Sequence, residues 1–291
     1  MALEPLIPYI HIPNLVIFPQ GYFGGNFPPA PFSIKPFGTL VAIGVYLGAY
    51  LAVKQGKRVG LDERALTSFI FWVVGVGFVG GHVLDTLFYY PGRVLQDPLS
   101  LVRLWDGLSS FGGFVGGITG ALLWRWRYKA AILPYADVVA SAFPAAWVFG
   151  RAGCASAHDH PGLHSTAWFA VQYPGGGRLD LGLYEMLLTI PLALTFFWLR
   201  KKRRPWGFYI AIMSLAYAPT RFALDFLRAR DVFGADVRYD SLTPAQWACF
   251  GLLGFGVFMF WYTMRRAGSL EAIEAPRPPA RLAEPADKPV S

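Results

Sequence analysis

Seven apolar stretches run through this chain, each close to the roughly 20 residues needed to cross the hydrocarbon core of a bilayer. They are Phe37 to Val53, Thr67 to Tyr90, Leu108 to Trp124, Pro134 to Gly153, Leu181 to Leu199, Trp206 to Leu227 and Pro244 to Met264. A chain that is 54% hydrophobic and 15% charged has too little polar surface for a soluble globule, in which about 25% of residues are charged. Its solvent is lipid, and in lipid a backbone must satisfy its polar groups within its own segment. The expectation is therefore an all-α polytopic membrane protein of about seven transmembrane helices. Many of the 32 Gly fall inside the apolar runs, where small residues let membrane helices approach closely.

Lys and Arg give the orientation, because they concentrate on the cytoplasmic side. They follow the first stretch (Lys54, Lys57, Arg58, Arg64), the third (Arg125, Arg127, Lys129), the fifth (Arg200 to Arg204) and the seventh (Arg265, Arg266, Arg277, Arg281, Lys288). This alternation predicts an outside N-terminus and a cytoplasmic C-terminus. It also explains the net charge of +8 by topology, so no nucleic-acid partner is expected. Met1 to Phe18 hold Glu4 and no Lys or Arg, so no cleaved signal is expected; the segment to about Ala30 reads as lying at the outer interface. Residues 1–264 read as one membrane domain. Residues 265–291, rich in Pro, Ala and charge without an apolar period, read as a disordered cytoplasmic tail. Cys154 and Cys249 match no metal or redox spacing, and neither a metal nor a cofactor is expected.

An ionisable side chain inside a span costs about 2.5 kcal/mol or more and needs a partner, a wet cavity or the interface. Tyr217, Arg221, Asp225 and Arg228 fall within roughly 80° on one face of the sixth stretch. They form either an Arg221–Asp225 ion pair that holds the bundle or an anion-binding stripe facing a cavity. In the fourth stretch, which begins near Asp137, Gly150-Arg151-Ala152-Gly153 puts a planar phosphate-binding fork between glycines that admit a ligand, unless Arg151 simply snorkels to the interface. In the second, His82 and Asp85 share a face and read as a hydrogen-bonded pair. The outer connection from Cys154 to Asp180 is polar, holds His158, His160 and His164, and is long enough that function is expected of it. Its His158-Asp159-His160 run reads as a metal site, as a general base with an orienting carboxylate, or as a solvated loop.

From about Phe32 to Met264 the chain resembles the prolipoprotein diacylglyceryl transferases. The resemblance is carried, in order, by Gly80-Gly81, Leu104-Trp105-Asp106-Gly107, Gly112-Gly113, Asp137 with Pro144, Gly150-Arg151-Ala152-Gly153, Leu183-Tyr184-Glu185, Tyr217 with Arg221, Asp225 and Arg228, and Gln246. Where the family pattern has a His before the paired glycines of the third span, this chain has Phe111; Cys154 stands for the signature Asn, Asp159 for its closing acid, His82 for an Arg and Phe37 for an aromatic hydroxyl. Leu179-Asp180-Leu181-Gly182 replaces the usual His-Pro-Ser-Gln.

The resemblance implies a multi-pass inner-membrane enzyme that moves a diacylglyceryl group from phosphatidylglycerol to the lipobox cysteine of a prolipoprotein. In that chemistry Arg151 and Arg221 would hold the phosphate, with Gly150, Gly153, Glu185 and Arg228 in the substrate site and Tyr217 on developing charge. With Phe111 unable to take a proton, His158 oriented by Asp159 is expected to be the base. Two other classes remain: a relative that binds phospholipid or precursor without transfer, and a small transporter, although no inverted hydropathy repeat is visible.

Overall fold

The structure is a computed structural model and describes residues 5–22, 24, 32–103, 107–232, 236, 238–268 and 274–282. Leu104-Trp105-Asp106, along with most of the tail segment, lies outside the described residues. Each of the seven apolar stretches is a helix: α1 (Pro36–Val59), α2 (Glu63–Tyr89), α4 (Ser110–Tyr128), α5 (Leu133–Ala157), α6 (Leu181–Leu199), α7 (Phe208–Asp225) and α8 (Pro244–Arg266). A short α3 (Pro91–Gln96) and a 3-10 turn (Pro98–Val102) stand between α2 and α4. Five helices, α1, α2, α5, α6 and α8, are long and apolar enough to cross a membrane. α4 falls short because Arg125 and Arg127 close it, and α7 because Arg221 and Asp225 interrupt it. Large side chains such as Phe71, Phe88, Trp126 and Leu194 stand exposed on the helices, as lipid-facing surface requires.

The chain divides into two compact units, with boundaries inside α1 and α5. The first unit, residues 1–50, 140–204 and 208–265, holds all the strands among the described residues: β1 (Ile7–Pro8), β2 (Leu15–Phe18), β3 (Phe32–Ile34), β4 (Pro161–His164), β5 (Val171–Tyr173) and β6 (Gly176–Asp180). The connection that the sequence leaves as an irregular loop is thus a small sheet, ordered β1-β5-β6-β4, with β1 parallel to β5 and the other pairs antiparallel. β4 is bonded on its other side as well. Leu163 N donates to Leu227 O (2.8 Å) and Ala229 N to Pro161 O (3.2 Å). Gly162 lies between, where a Cβ would meet Leu179 O and Leu227 O at 2.7 and 2.8 Å. Lower in this unit, Phe196, Phe208 and Tyr209 form a buried cluster joining α6 to α7.

The second unit, residues 51–139, 205–207 and 266–291, is built on the α2–α4 pair. Gly112, Gly116 and Gly120 recur every fourth residue on α4, a small-xxx-small seam that brings two backbones into contact. A Cβ at Gly116 would lie 2.5 Å from Val76 O, one at Gly112 would lie 2.6 Å from Gly80 O, and one at Gly120 would overlap Trp72 O. Gly116→Leu must therefore push the helices apart, and we expect it to cost about 1 to 3 kcal/mol, the usual range for overpacking. It should appear as a fall in the Tm of the detergent-purified protein. Gly75→Ala, where a Cβ meets nothing within 4 Å, should leave the Tm in place; equal melting of the two variants would refute the seam.

His82 does not pair with Asp85 as their spacing suggests. Its ring nitrogens face the carbonyls of Ser100 (2.9 Å) and Gly107 (3.1 Å), so it fixes the connection that leads into α4. Trp124, Tyr135 and Phe69 pack ring against ring in the core of this unit.

Candidate functional site

The site lies in the first unit, and α6 sets it up. Asp180 caps α6 by accepting from Leu183 N (2.9 Å), a carboxylate at the position where N-terminal amides lack partners. The first turn then seats against the last turn of α5, because Gly182 leaves room where a Cβ would lie 2.9 Å from Ala155 N. One turn on, this docking delivers Glu185 to Arg151.

Glu185 is the hub. Its side chain is 2% exposed, Arg151 Nε lies 2.9 Å from Oε1, and Arg221 Nη1 of α7 lies 3.4 Å from Oε2. Tyr217 donates its hydroxyl to Oε1 (2.9 Å) and Trp147 its indole N–H to the same oxygen (3.4 Å). Arg151 also stacks over the Trp147 ring, 4.6 Å from its centroid. Two guanidiniums from different helices thus meet at one carboxylate. Each carries five N–H donors, more than one carboxylate can use, so the pair can take an anion in addition.

A second carboxylate anchors the far end of the same face. Asp225 is fully buried; Arg221 Nη2 lies 3.1 Å and Arg228 Nη1 3.8 Å from Oδ1, and Thr243 donates its hydroxyl to Oδ2. Gln246 bonds Thr243 N (3.0 Å) and Phe222 O (3.2 Å), which ties the start of α8 to α7. Arg228 reaches outward to Asp236 (2.6 Å). The stripe read from helical spacing therefore contains the Arg221–Asp225 pair and also reaches Glu185. Spacing within one helix could not show the latter contact.

Around Arg151 the outer connection folds back. Arg151 Nη1 lies 3.7 Å from Cys154 Sγ and 3.5 Å from His160 Nε2, and His160 Nδ1 lies 2.5 Å from Asp159 Oδ1. The expectation that Asp159 orients His158 is corrected here. His158 has a φ of 50°, which turns its side chain away from Asp159 at the end of α5. Its Nδ1 meets Asp180 Oδ2 (2.7 Å), its Nε2 faces Ile10 O (3.3 Å), and its ring stacks on Tyr9. Tyr173 donates to the same Asp180 oxygen (2.9 Å); burial and that carboxylate push its hydroxyl well above the ordinary phenol range, so it remains a donor.

The two glycines beside Arg151 differ in their surroundings. The space at Gly153 is taken by Phe37 of α1, whose Cδ2 would lie 3.1 Å from a Cβ there, so this glycine serves helix packing and not ligand entry. Gly150 makes only ordinary contact with the Trp147 ring. Sequence reasoning missed Asp180, Thr243 and Trp147 as participants, and named His160 only within the His158-Asp159-His160 run. Only Asp180 carried a signal, an N-cap acid directly before an apolar helix. On the exposed rim, Arg178 of β6 binds Asp231 and holds that carboxyl well below the usual carboxylate range, which fastens the segment after α7 to the sheet.

Comparison with known proteins places residues 27–262 within the family described as prolipoprotein diacylglyceryl transferase. A phosphatidylglycerol–prolipoprotein diacylglyceryl transferase of Chromohalobacter salexigens is 30% identical over 222 residues, 74% of this chain and 83% of that protein. One from Pasteurella multocida is 32% identical over 235 residues, 75% of this chain and 83% of its own. One from Actinobacillus pleuropneumoniae is 28% identical and covers 81% of this chain and 93% of its own.

Proposed function

The chain belongs to the prolipoprotein diacylglyceryl transferase family, and from that premise we propose that it transfers a diacylglyceryl group from phosphatidylglycerol to the thiol of a lipobox cysteine in a prolipoprotein, releasing glycerol phosphate. The observation that carries the reading is the meeting of Arg151 and Arg221 at Glu185. Attack on a glyceryl carbon expels a phosphate, and two guanidiniums fixed in advance at a water-poor site stabilise that leaving charge without reorganising. Glu185 keeps them parted and oriented, Tyr217 adds a hydroxyl donor at the same oxygen, and Arg228 extends the positive face. The thiol proton also needs an acceptor.

The protein works as a multi-pass enzyme of the inner membrane, with the seven long helices as spans, the N-terminus outside and a cytoplasmic tail from residue 265. In nanodiscs, the purified protein should move label from glyceryl-tritiated phosphatidylglycerol to a synthetic lipobox peptide, and should restore growth to cells depleted of their own transferase. Label that stays in the lipid would sink this reading. Phe111 at the family's His position favours one alternative, a lipid-binding relative without transfer. That alternative predicts retention of phosphatidylglycerol with no labelled peptide.

A further inference from the structure

We propose that His160, oriented by Asp159, accepts the thiol proton in this transfer; the proposal rests on the function given above. Asp159 Oδ1 lies 2.5 Å from His160 Nδ1. A carboxylate there accepts a hydrogen bond from Nδ1–H and so holds the tautomer whose lone pair is on Nε2. Nε2 faces Arg151 Nη1 at 3.5 Å, at the outer limit of a hydrogen bond, so an incoming thiol displaces little when it takes that place. His158, by contrast, has both nitrogens committed, to Asp180 and to the Ile10 carbonyl.

Position supports the same assignment. Arg151 is one of the two phosphate-holding groups, so a base in contact with it stands beside the bond that must break. The backbone of His160 is held on the sheet: its carbonyl accepts from Leu181 N (3.0 Å) and the next residue opens β4. The imidazole side chain is 21% exposed, which leaves it open to a substrate, whereas Cys154 is buried. The charged and titratable groups that face the ring are Asp159, Arg151 and Cys154, with Glu185 behind Arg151.

In the step itself, the sulfur electron pair forms the bond to the glyceryl carbon as the thiol proton passes to Nε2. The carbon–oxygen bond to phosphate breaks, and its electron pair leaves on the phosphate oxygen held by Arg151 and Arg221. The imidazolium then returns its proton to the departing phosphate or to water.

Cys154, Asp159 and His160 also bring a thiol, a carboxylate and an imidazole atom within 4.8 Å of one another, a grouping that fits a divalent metal. Arg151 already directs an N–H at both Cys154 Sγ and His160 Nε2, the lone pairs that a metal would need.

The test uses the full-length protein in phosphatidylglycerol nanodiscs with a lipobox peptide. His160→Gln should lower kcat about 100-fold or more, with the KM for phosphatidylglycerol preserved as the sign that the fold survives. Added imidazole should restore turnover to His160→Gly, and Asp159→Asn, which removes a positioning residue, should give a smaller loss. An undiminished kcat in His160→Gln overturns the proposal, as does loss of the acid limb of the pH–rate profile in His158→Gln but not in His160→Gln. Activity removed by a chelator and restored by zinc overturns it in favour of a metal. A wild-type protein that transfers nothing overturns the functional reading and this proposal together, whereas wild-type transfer unaffected at His160 overturns this proposal alone.

Discussion

Replacing Glu185 by Gln is expected to silence transfer and to cost about 3 to 5 kcal/mol of stability, the range seen when one partner of a buried ion pair is removed. The reason is geometric. The Arg151 side chain is 5% exposed and that of Arg221 13%; Glu185 pairs with both, and Arg221 has Asp225 as a second carboxylate at 3.1 Å. The amide keeps the shape and can still accept from Tyr217, but it leaves the buried Arg151 guanidinium without its carboxylate beside an Arg221 held by Asp225 alone. Either they repel and separate, or water enters; both outcomes undo the arrangement that holds the leaving phosphate. Thermal unfolding in detergent reads the first effect and the peptide transfer assay the second. Glu185→Asp retains the charge with a shorter reach and should melt between wild type and Glu185→Gln. A Gln variant that melts and turns over like wild type would remove Glu185 from the centre of the site.

Arg151→Lys and Arg221→Lys should each lower kcat/KM about 100-fold, a loss typical of removing one charge-stabilising donor. Lysine preserves the charge in both cases. It loses the planar fork, and with it the ability to hold Glu185 and a phosphate oxygen at once. At Arg151 it also gives up the stack on Trp147. Because the two cations share one carboxylate, their effects should not multiply: the double variant is expected to lose less than the product of the single losses. Independent effects in that cycle would mean that the two groups act on different parts of the substrate.

Much of the helical frame was legible because the signal is thermodynamic and local. The α6 boundaries follow from the apolar run, Leu181 to Leu199, whose one charged residue, Glu185, is buried against Arg151 and not set in lipid. α1 runs six residues past its apolar stretch, to Val59, because Lys54, Gln55, Lys57 and Arg58 cost nothing once the helix has left the hydrocarbon. The sheet was not legible: β4, β5 and β6 are three to five residues long, two of them contain glycine, and β5 pairs with residues 7 and 8, far away in the chain. The site divides along the same line. Tyr217, Arg221 and Asp225 share a helical period and could be grouped by counting; Arg228, expected on the same face, lies beyond the end of α7 and bridges to Gly162, and it reaches Asp225 from there. Glu185 owes its place between two helices to the docking of α6 on α5, which no spacing records. Asp159 and His158 were paired because they adjoin in sequence, and a left-handed backbone at His158 sends their side chains to different partners.

The double-edged bonding of β4 bears on how a two-tailed lipid reaches this site. A segment that could swing aside would have one free edge; β4 is laced to β6 along one side and to Leu227 and Ala229 along the other. Displacing it means breaking both seams and dragging the segment that follows α7, with Arg228, out of register. The segment is a fixed wall, and a donor that reaches Arg151 and Arg221 has to come past some other face of the site.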